Sequence, residues 1–161
     1  MRIATEGDLT EIVSIYNSTI PTRQSTADTA EVTVESKLAW FRRHLPDKHP
    51  LLVHEKEGKV VAWVSFHPFH ERPAYSHTAE ISIYVSPKCR GRGLGRTLLA
   101  EAMGLTPKLD IKTVVGLIFS HNVPSIRLFK SFGFETWGKL PEVAEMDGEK
   151  FSLSILGKKV V

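Results

Sequence analysis

Residues Ile81 to Leu99 constrain the fold more than any other stretch of this chain. Ile81, Ile83 and Val85 alternate with Ser82, Tyr84 and Ser86, the period of two that marks a strand. Pro87 has no N–H to give a ladder and ends it. Arg90-Gly-Arg-Gly-Leu-Gly95 then forms a tight turn, after which Leu94, Leu98, Leu99 and Ala102 recur at helical spacing. A helix start exposes unpaired N–H groups and a partial positive charge. Gly91, Gly93 and Gly95 leave that backbone open, and Arg90, Arg92 and Arg96 add full positive charge. The expected guest is an anion, a phosphate or pyrophosphate. It is not a P-loop, because Arg96-Thr97 stands where Lys-Ser/Thr is required. Nor is it the dinucleotide fingerprint: the spacing is G-x-G-x-G, and Thr113 to Gly116 offer no acid. A glycine turn with solvated arginines is the alternative at this point.

Arg90-x-x-Gly93-x-Gly95 resembles the acetyl-CoA pyrophosphate loop of the GNAT N-acetyltransferases, whose pattern is Q/R-x-x-G-x-G/A. A second segment, Asn122-Val-Pro-Ser125-Ile-Arg-Leu128-Phe129-Lys-Ser-Phe-Gly133-Phe134, resembles the later motif of that family. The two lie in the family's order with a strand between them.

The remaining elements are read from pattern. Met1 to Ala4 reads as a strand, and Thr5 caps a helix whose apolar face is Leu9, Ile12, Val13 and Tyr16. Asn17 to Val32 is a polar loop, long enough to suggest function. Thr33 caps a second helix carrying Leu38, Trp40 and Phe41. Leu51–Val53 and Val60–Phe66 read as antiparallel strands around Glu57-Gly58, and His67 to Tyr75 as a loop. Thr78–Val85 and the apolar run Val114–Phe119 are strands, and Ser125–Phe132 is a helix stopped at Gly133. Phe134–Trp137 and Phe151–Leu156 are the last strands, with a turn at Asp147-Gly148. This order predicts an α+β class: one twisted, mostly antiparallel sheet with helices on both faces, in a single domain over 1–161. The resemblance implies the acyl-CoA N-acyltransferase fold, with Thr78–Val85 and Val114–Phe119 as a central parallel pair that splays apart.

Net charge is only +3, too small and too mixed to argue for nucleic acid, and no apolar run is long enough to span a membrane. The N-terminus shows no signal peptide, and one cysteine, Cys89, fits a reducing compartment, so a cytoplasmic location is expected. His67, His70, His77 and His121 match no zinc spacing, and no metal is expected.

The resemblance implies acetyl-CoA as cosubstrate. Backbone groups of Ile83, Tyr84 and Val85 would hold the pantetheine arm as an added strand. The N–H groups of Arg90, Gly91, Arg92, Gly93, Leu94, Gly95 and Arg96 would hold the pyrophosphate, and Asn122 and Ser125 would bond pantetheine or nearby CoA. Ile15-Tyr-Asn17, Thr26-x-Asp28, Trp40-Phe41, Arg72-Pro-Ala-Tyr75 and Thr78-x-Glu80-x-Ser82-x-Tyr-Val85 are similar to the phosphinothricin acetyltransferase-like branch. That branch acetylates the α-amine of small amino-acid analogues: phosphinothricin, methionine sulfoximine and methionine sulfone. Ala144 to Phe151 departs from its terminal Lys-Phe-Gly-x-Trp-x-Asp segment.

An amine attacks a thioester only when unprotonated, so a general base is useful. Glu80 is the one acid in an otherwise uncharged strand, and branch resemblance puts the catalytic carboxylate there, acting through a water. The alternative is a carboxylate paired with an arginine. Phe129 stands where many relatives carry a proton-donating tyrosine, so either a water, Tyr75 or Tyr84 protonates the thiolate or it leaves without an acid. Arg72 is the choice for an acceptor carboxylate, since a guanidinium grips it with two parallel bonds. Thr26, Asp28 and Tyr75 are further substrate candidates; Trp40, Phe41 and Trp63 read as core. The expected partners are a small-molecule amine acceptor and a second copy of the chain in a homodimer. Two rivals stay open: acetylation of another amine (a peptide N-terminus, a polyamine or an aminoglycoside), and a CoA-binding module without activity.

Overall fold

The structure is a computed structural model and describes residues 1–160. Seven strands form one sheet: β1 (Arg2–Ile3), β2 (Leu51–Lys56), β3 (Lys59–Pro68), β4 (Thr78–Val85), β5 (Thr113–Phe119), β6 (Glu135–Met146) and β7 (Glu149–Lys159). Their spatial order is β1-β2-β3-β4-β5-β7-β6. Four α-helices accompany them: α1 (Leu9–Asn17), α2 (Val34–Arg42), α3 (Leu94–Leu105) and α4 (Val123–Lys130). Every pairing is antiparallel except β4 with β5. The expected α+β class holds. No helix among the described residues is long and apolar enough to cross a membrane.

Side-chain alternation distributes the core to both faces of the sheet. On β3, Ala62, Val64 and Phe66 face α3 and α4 and pack with Leu98, Leu99, Ala102, Val114 and Phe129. Trp63 faces the other way and packs with Leu9, Ile12 and Val13 of α1 and with Leu51 and Val53 of β2. Its buried indole N–H donates to the Ile12 carbonyl at 3.1 Å, so no polar atom is stranded there. β5 is apolar because it lies between helices and other strands; only Leu117 among its residues is exposed.

Several elements differ from their expected bounds. The first helix is preceded by a 3₁₀ turn at Glu6–Asp8, where Asp8 accepts the Thr5 N–H at 2.7 Å and both arms of the Arg2 guanidinium. β6 runs to Met146 rather than ending near Trp137. Pro141 would break a regular ladder, but it falls inside a register shift between Leu140 and Ala144, where a missing N–H costs nothing. The Asp147-Gly148 turn then joins β6 to β7 with both residues at positive φ, the geometry that suits a two-residue hairpin.

Candidate active site

β4 and β5 pair only from Thr78 to Glu80 on one side and Thr113 to Val115 on the other. Beyond Glu80 they separate, and a cleft of about 300 Å³ opens between Ile81–Tyr84 and Leu117–Phe119. Asn122, Ser125 and Phe129 line the far wall; Gln24 to Ala27 cover it. Phe129 reaches this wall because β5 carries Gly116 beneath it: a Cβ there would meet the ring at 2.9 Å. Phe129 is buried and has no proton to give.

The register decides which β4 backbone faces the cleft. The Ser86 N–H donates to the Val61 carbonyl and the Phe69 N–H to the Thr78 carbonyl, so even-numbered β4 residues turn their backbone toward β3. Ile83 and Val85 therefore turn theirs toward the cleft. Tyr84, expected to present its backbone there, spends it on β3 and presents its side chain instead. The Val85 carbonyl already accepts the Arg90 Nε–H at 3.0 Å.

At the mouth, Gly91 and Gly93 have φ of 72° and 79°, in the left-handed region. No protein atom lies within 4 Å of where a Cβ would project from either. α3 begins at Leu94, and its first backbone bonds run from Arg96 and Thr97 to the Gly93 carbonyl. The N–H groups of residues 91–95 find no acceptor among the described residues, as expected ahead of a first helical turn. Gly95 has a different reason: a Cβ would stand 3.3 Å from Leu128, so its smallness lets α3 pack on α4. Arg90 and Arg92 are exposed, and Arg96 lies over the Phe132 ring with its Nη1 donating to Ser131. Unpaired amides, positive charge and open space fit a diphosphate, and the freed β4 edge behind them fits an extended amide-bearing chain.

Asn122 is more committed than expected. Its Oδ1 accepts the Ser125 N–H as the cap of α4, and its Nδ2 donates to the Gln24 carbonyl at 3.1 Å. It thus ties the long Asn17–Val32 loop over the cleft. His121 Nε2 lies 2.8 Å from the Arg23 carbonyl, and the Tyr84 hydroxyl donates to the Ser25 carbonyl at 3.1 Å. Thr26 and Asp28 share the Tyr16 hydroxyl, which donates to the Asp28 carboxylate and lies 2.5 Å from Thr26 Oγ1. Burial, then that carboxylate, push the Tyr16 phenol up to about 12.

Glu80 lines the cleft at the point where the strands part. No ion pair or hydrogen bond to its carboxylate is found among the described residues, and burial alone raises its affinity for a proton. The arginine partner that would have made it structural is absent among them. Arg72 and Tyr75 are both exposed on the loop after β3 and line neither the cleft nor its neighbour.

A second chamber of about 170 Å³ adjoins the cleft on the α1–α2 side of the sheet. Its walls are Tyr16, Trp40, Trp63 and Tyr84, with Lys37, Ser65, His67 and Ser82 as polar groups. Ser82 and Tyr84 line both spaces. From the sequence, Trp40 and Trp63 read as core, His67 was weighed only as a metal ligand, and Lys37 and Ser65 carried no signal of their own. A joint signal was present: Ser65 and His67 continue the β3 face that starts at Trp63, a face that covers helices rather than water.

The GNAT acetyltransferase family model matches residues 10–134. The chain belongs to the GNAT acetyltransferase family. This acetyltransferase is 48% identical over 161 residues to Bacillus subtilis YwnH, a protein provisionally described as a phosphinothricin acetyltransferase, covering 99% of this chain and 98% of that one. It is 30% identical to the L-methionine sulfoximine/L-methionine sulfone acetyltransferase of Salmonella typhimurium, covering 97% of this chain and 91% of the relative. The phosphinothricin acetyltransferase from Sinorhizobium meliloti, solved in complex with acetyl-CoA, superposes with a TM-score of 0.92 at 26% identity over 98% of this chain and 86% of that one. This protein is accordingly an N-acetyltransferase that uses acetyl-CoA.

Proposed function

We propose that this enzyme transfers acetyl from acetyl-CoA to the α-amine of a small amino acid or amino-acid analogue of the phosphinothricin, methionine sulfoximine or methionine sulfone type. Transfer is direct, within a ternary complex. The observation that carries this reading is the position of Glu80: an unpaired, half-buried carboxylate at the point where β4 leaves β5. The names of the relatives support the acceptor class.

Acetyl-CoA supplies the acetyl group as an activated thioester. The unpaired amides of residues 91–95 are assigned to its diphosphate, the Arg90 and Arg96 N–H groups being spent on the Pro87 and Gly93 carbonyls, and those of Ile83 and Val85 to its pantetheine arm. Glu80, its proton affinity raised by burial, takes a proton from the acceptor ammonium, directly or through a water. An N–H of β4 near Val85 polarises the thioester carbonyl. Phe129 gives no proton, so the leaving thiolate takes one from water or departs unprotonated. The exposed Trp137, Leu140 and Val143 on edge strand β6 support a homodimer.

The test is thiol release from acetyl-CoA on methionine sulfone, methionine sulfoximine and phosphinothricin, beside a peptide N-terminus, a polyamine and an aminoglycoside. Turnover confined to the first three supports the reading. Preference for any of the others overturns it.

A further inference from the structure

The chamber beneath α1 and α2 contains one full charge. Of its lining residues only Lys37 is cationic and none is acidic. His67, the other titratable cation there, is pushed down to about 4 by burial and by nearby positive groups, Lys37 among them, so it is neutral near pH 7. The Lys37 ammonium stands 5.0 Å from the Tyr16 ring centroid and 5.7 Å from that of Trp40. It forms no ion pair among the described residues, although the surface of the same molecule pairs Arg2, Arg23 and Arg42 with carboxylates. An ammonium half-buried against aromatic faces has lost part of its water, and an anion there would meet little screening.

The chamber is also in the right place. It shares Ser82 and Tyr84 with the cleft whose edge holds Glu80. Ser65 Oγ lies 3.0 Å from His67 Nε2, so two neutral hydrogen-bonding groups line the space with Lys37. One cation, neutral donors and aromatic walls suit a small zwitterion and do not suit a polycation.

We propose that this chamber receives the acceptor and that Lys37 supplies the counter-charge to an anionic oxygen group on it, the α-carboxylate or a side-chain phosphinate. This rests on the reading that the acceptor is a small amino acid or analogue. It moves the anion-binding role from Arg72, which lies outside both spaces, to a residue on α2.

The experiment is steady-state kinetics of wild type, Lys37→Met and Lys37→Arg on three acceptors at saturating acetyl-CoA. Methionine sulfone carries only the carboxylate, phosphinothricin carries carboxylate and phosphinate, and 3-(methylsulfonyl)propylamine carries neither. Lys37→Met should raise KM for methionine sulfone by about tenfold or more, with kcat within about twofold. It should leave KM for the propylamine unchanged, and Lys37→Arg should restore most of the loss. An effect on phosphinothricin alone would assign Lys37 to the phosphinate. Equal loss on all three acceptors would make Lys37 a packing residue and overturn the proposal, as would no change on any. A wild type inactive on all three overturns the acceptor reading itself and this proposal with it. Thermal melting of each variant separates lost packing from lost binding.

Discussion

His67 on β3 and Glu80 on β4 stand opposite one another in the antiparallel register, and burial moves their protons in opposite senses. The imidazole is held neutral, its pKa pushed down to about 4, while the carboxyl is pushed above its ordinary range. The pair places an uncharged base and a reluctant carboxylate on one sheet face, beside the separation of β4 from β5.

Glu80→Gln should lower kcat near neutral pH by about a hundredfold or more and leave acetyl-CoA affinity in calorimetry unchanged. With Glu80 in the proposed role of base, the wild-type rate should fall as pH drops through the raised Glu80 value, earlier than for an ordinary glutamate. Because the folded protein disfavours the charge, Glu80 costs stability once pH exceeds its unfolded value. Glu80→Gln should therefore melt higher than wild type at pH 7 to 8. Unchanged turnover from pH 6 to 9 would remove Glu80 as the base.

His67 has the opposite consequence for a different property. Its unfolded form takes a proton near 6.5, the folded form only near 4. As pH falls through that window the unfolded chain binds a proton that the folded one refuses, so stability declines. His67→Gln should flatten that decline in denaturant titrations between about pH 6.5 and 4, with little change above 7.

Gly93 caps α3 in the left-handed region. Gly93→Val should cost about 1–2 kcal/mol of stability and place a branched side chain in the space assigned to the diphosphate. Acetyl-CoA binding by calorimetry should be lost; normal affinity in a folded variant would count against the loop.

Asn122→Ala removes a helix cap and the tie to the Gln24 carbonyl together. A loss of about 1–2 kcal/mol is expected, with faster amide exchange in residues 24–28 than in the β5 core.

Gly116→Ala would press a methyl into the Phe129 ring. The cost should be about 1–3 kcal/mol, and Phe129→Leu in the same chain should recover part of it, a coupling that only touching residues show.

The sequence by itself determined the strand, glycine turn and helix from Ile81 to Leu99, because alternation, a proline stop and three glycines act within a few residues. It also marked Glu80, the one acid in an otherwise uncharged strand, and the family through two spaced motifs. Bounds failed where distant contacts rule: β6 runs past Trp137 to Met146 because the register shift against β7 absorbs Pro141. What only the tertiary structure decided was direction. The β3–β4 register turned the Tyr84 backbone away from the cleft and its ring into both spaces, and chain folding brought Lys37, Trp40, Ser65 and His67 to one chamber. Side chains far apart in sequence carry no mutual signal until the sheet and helices close on them, so the chamber proposed for the acceptor was invisible where the glycine turn was plain.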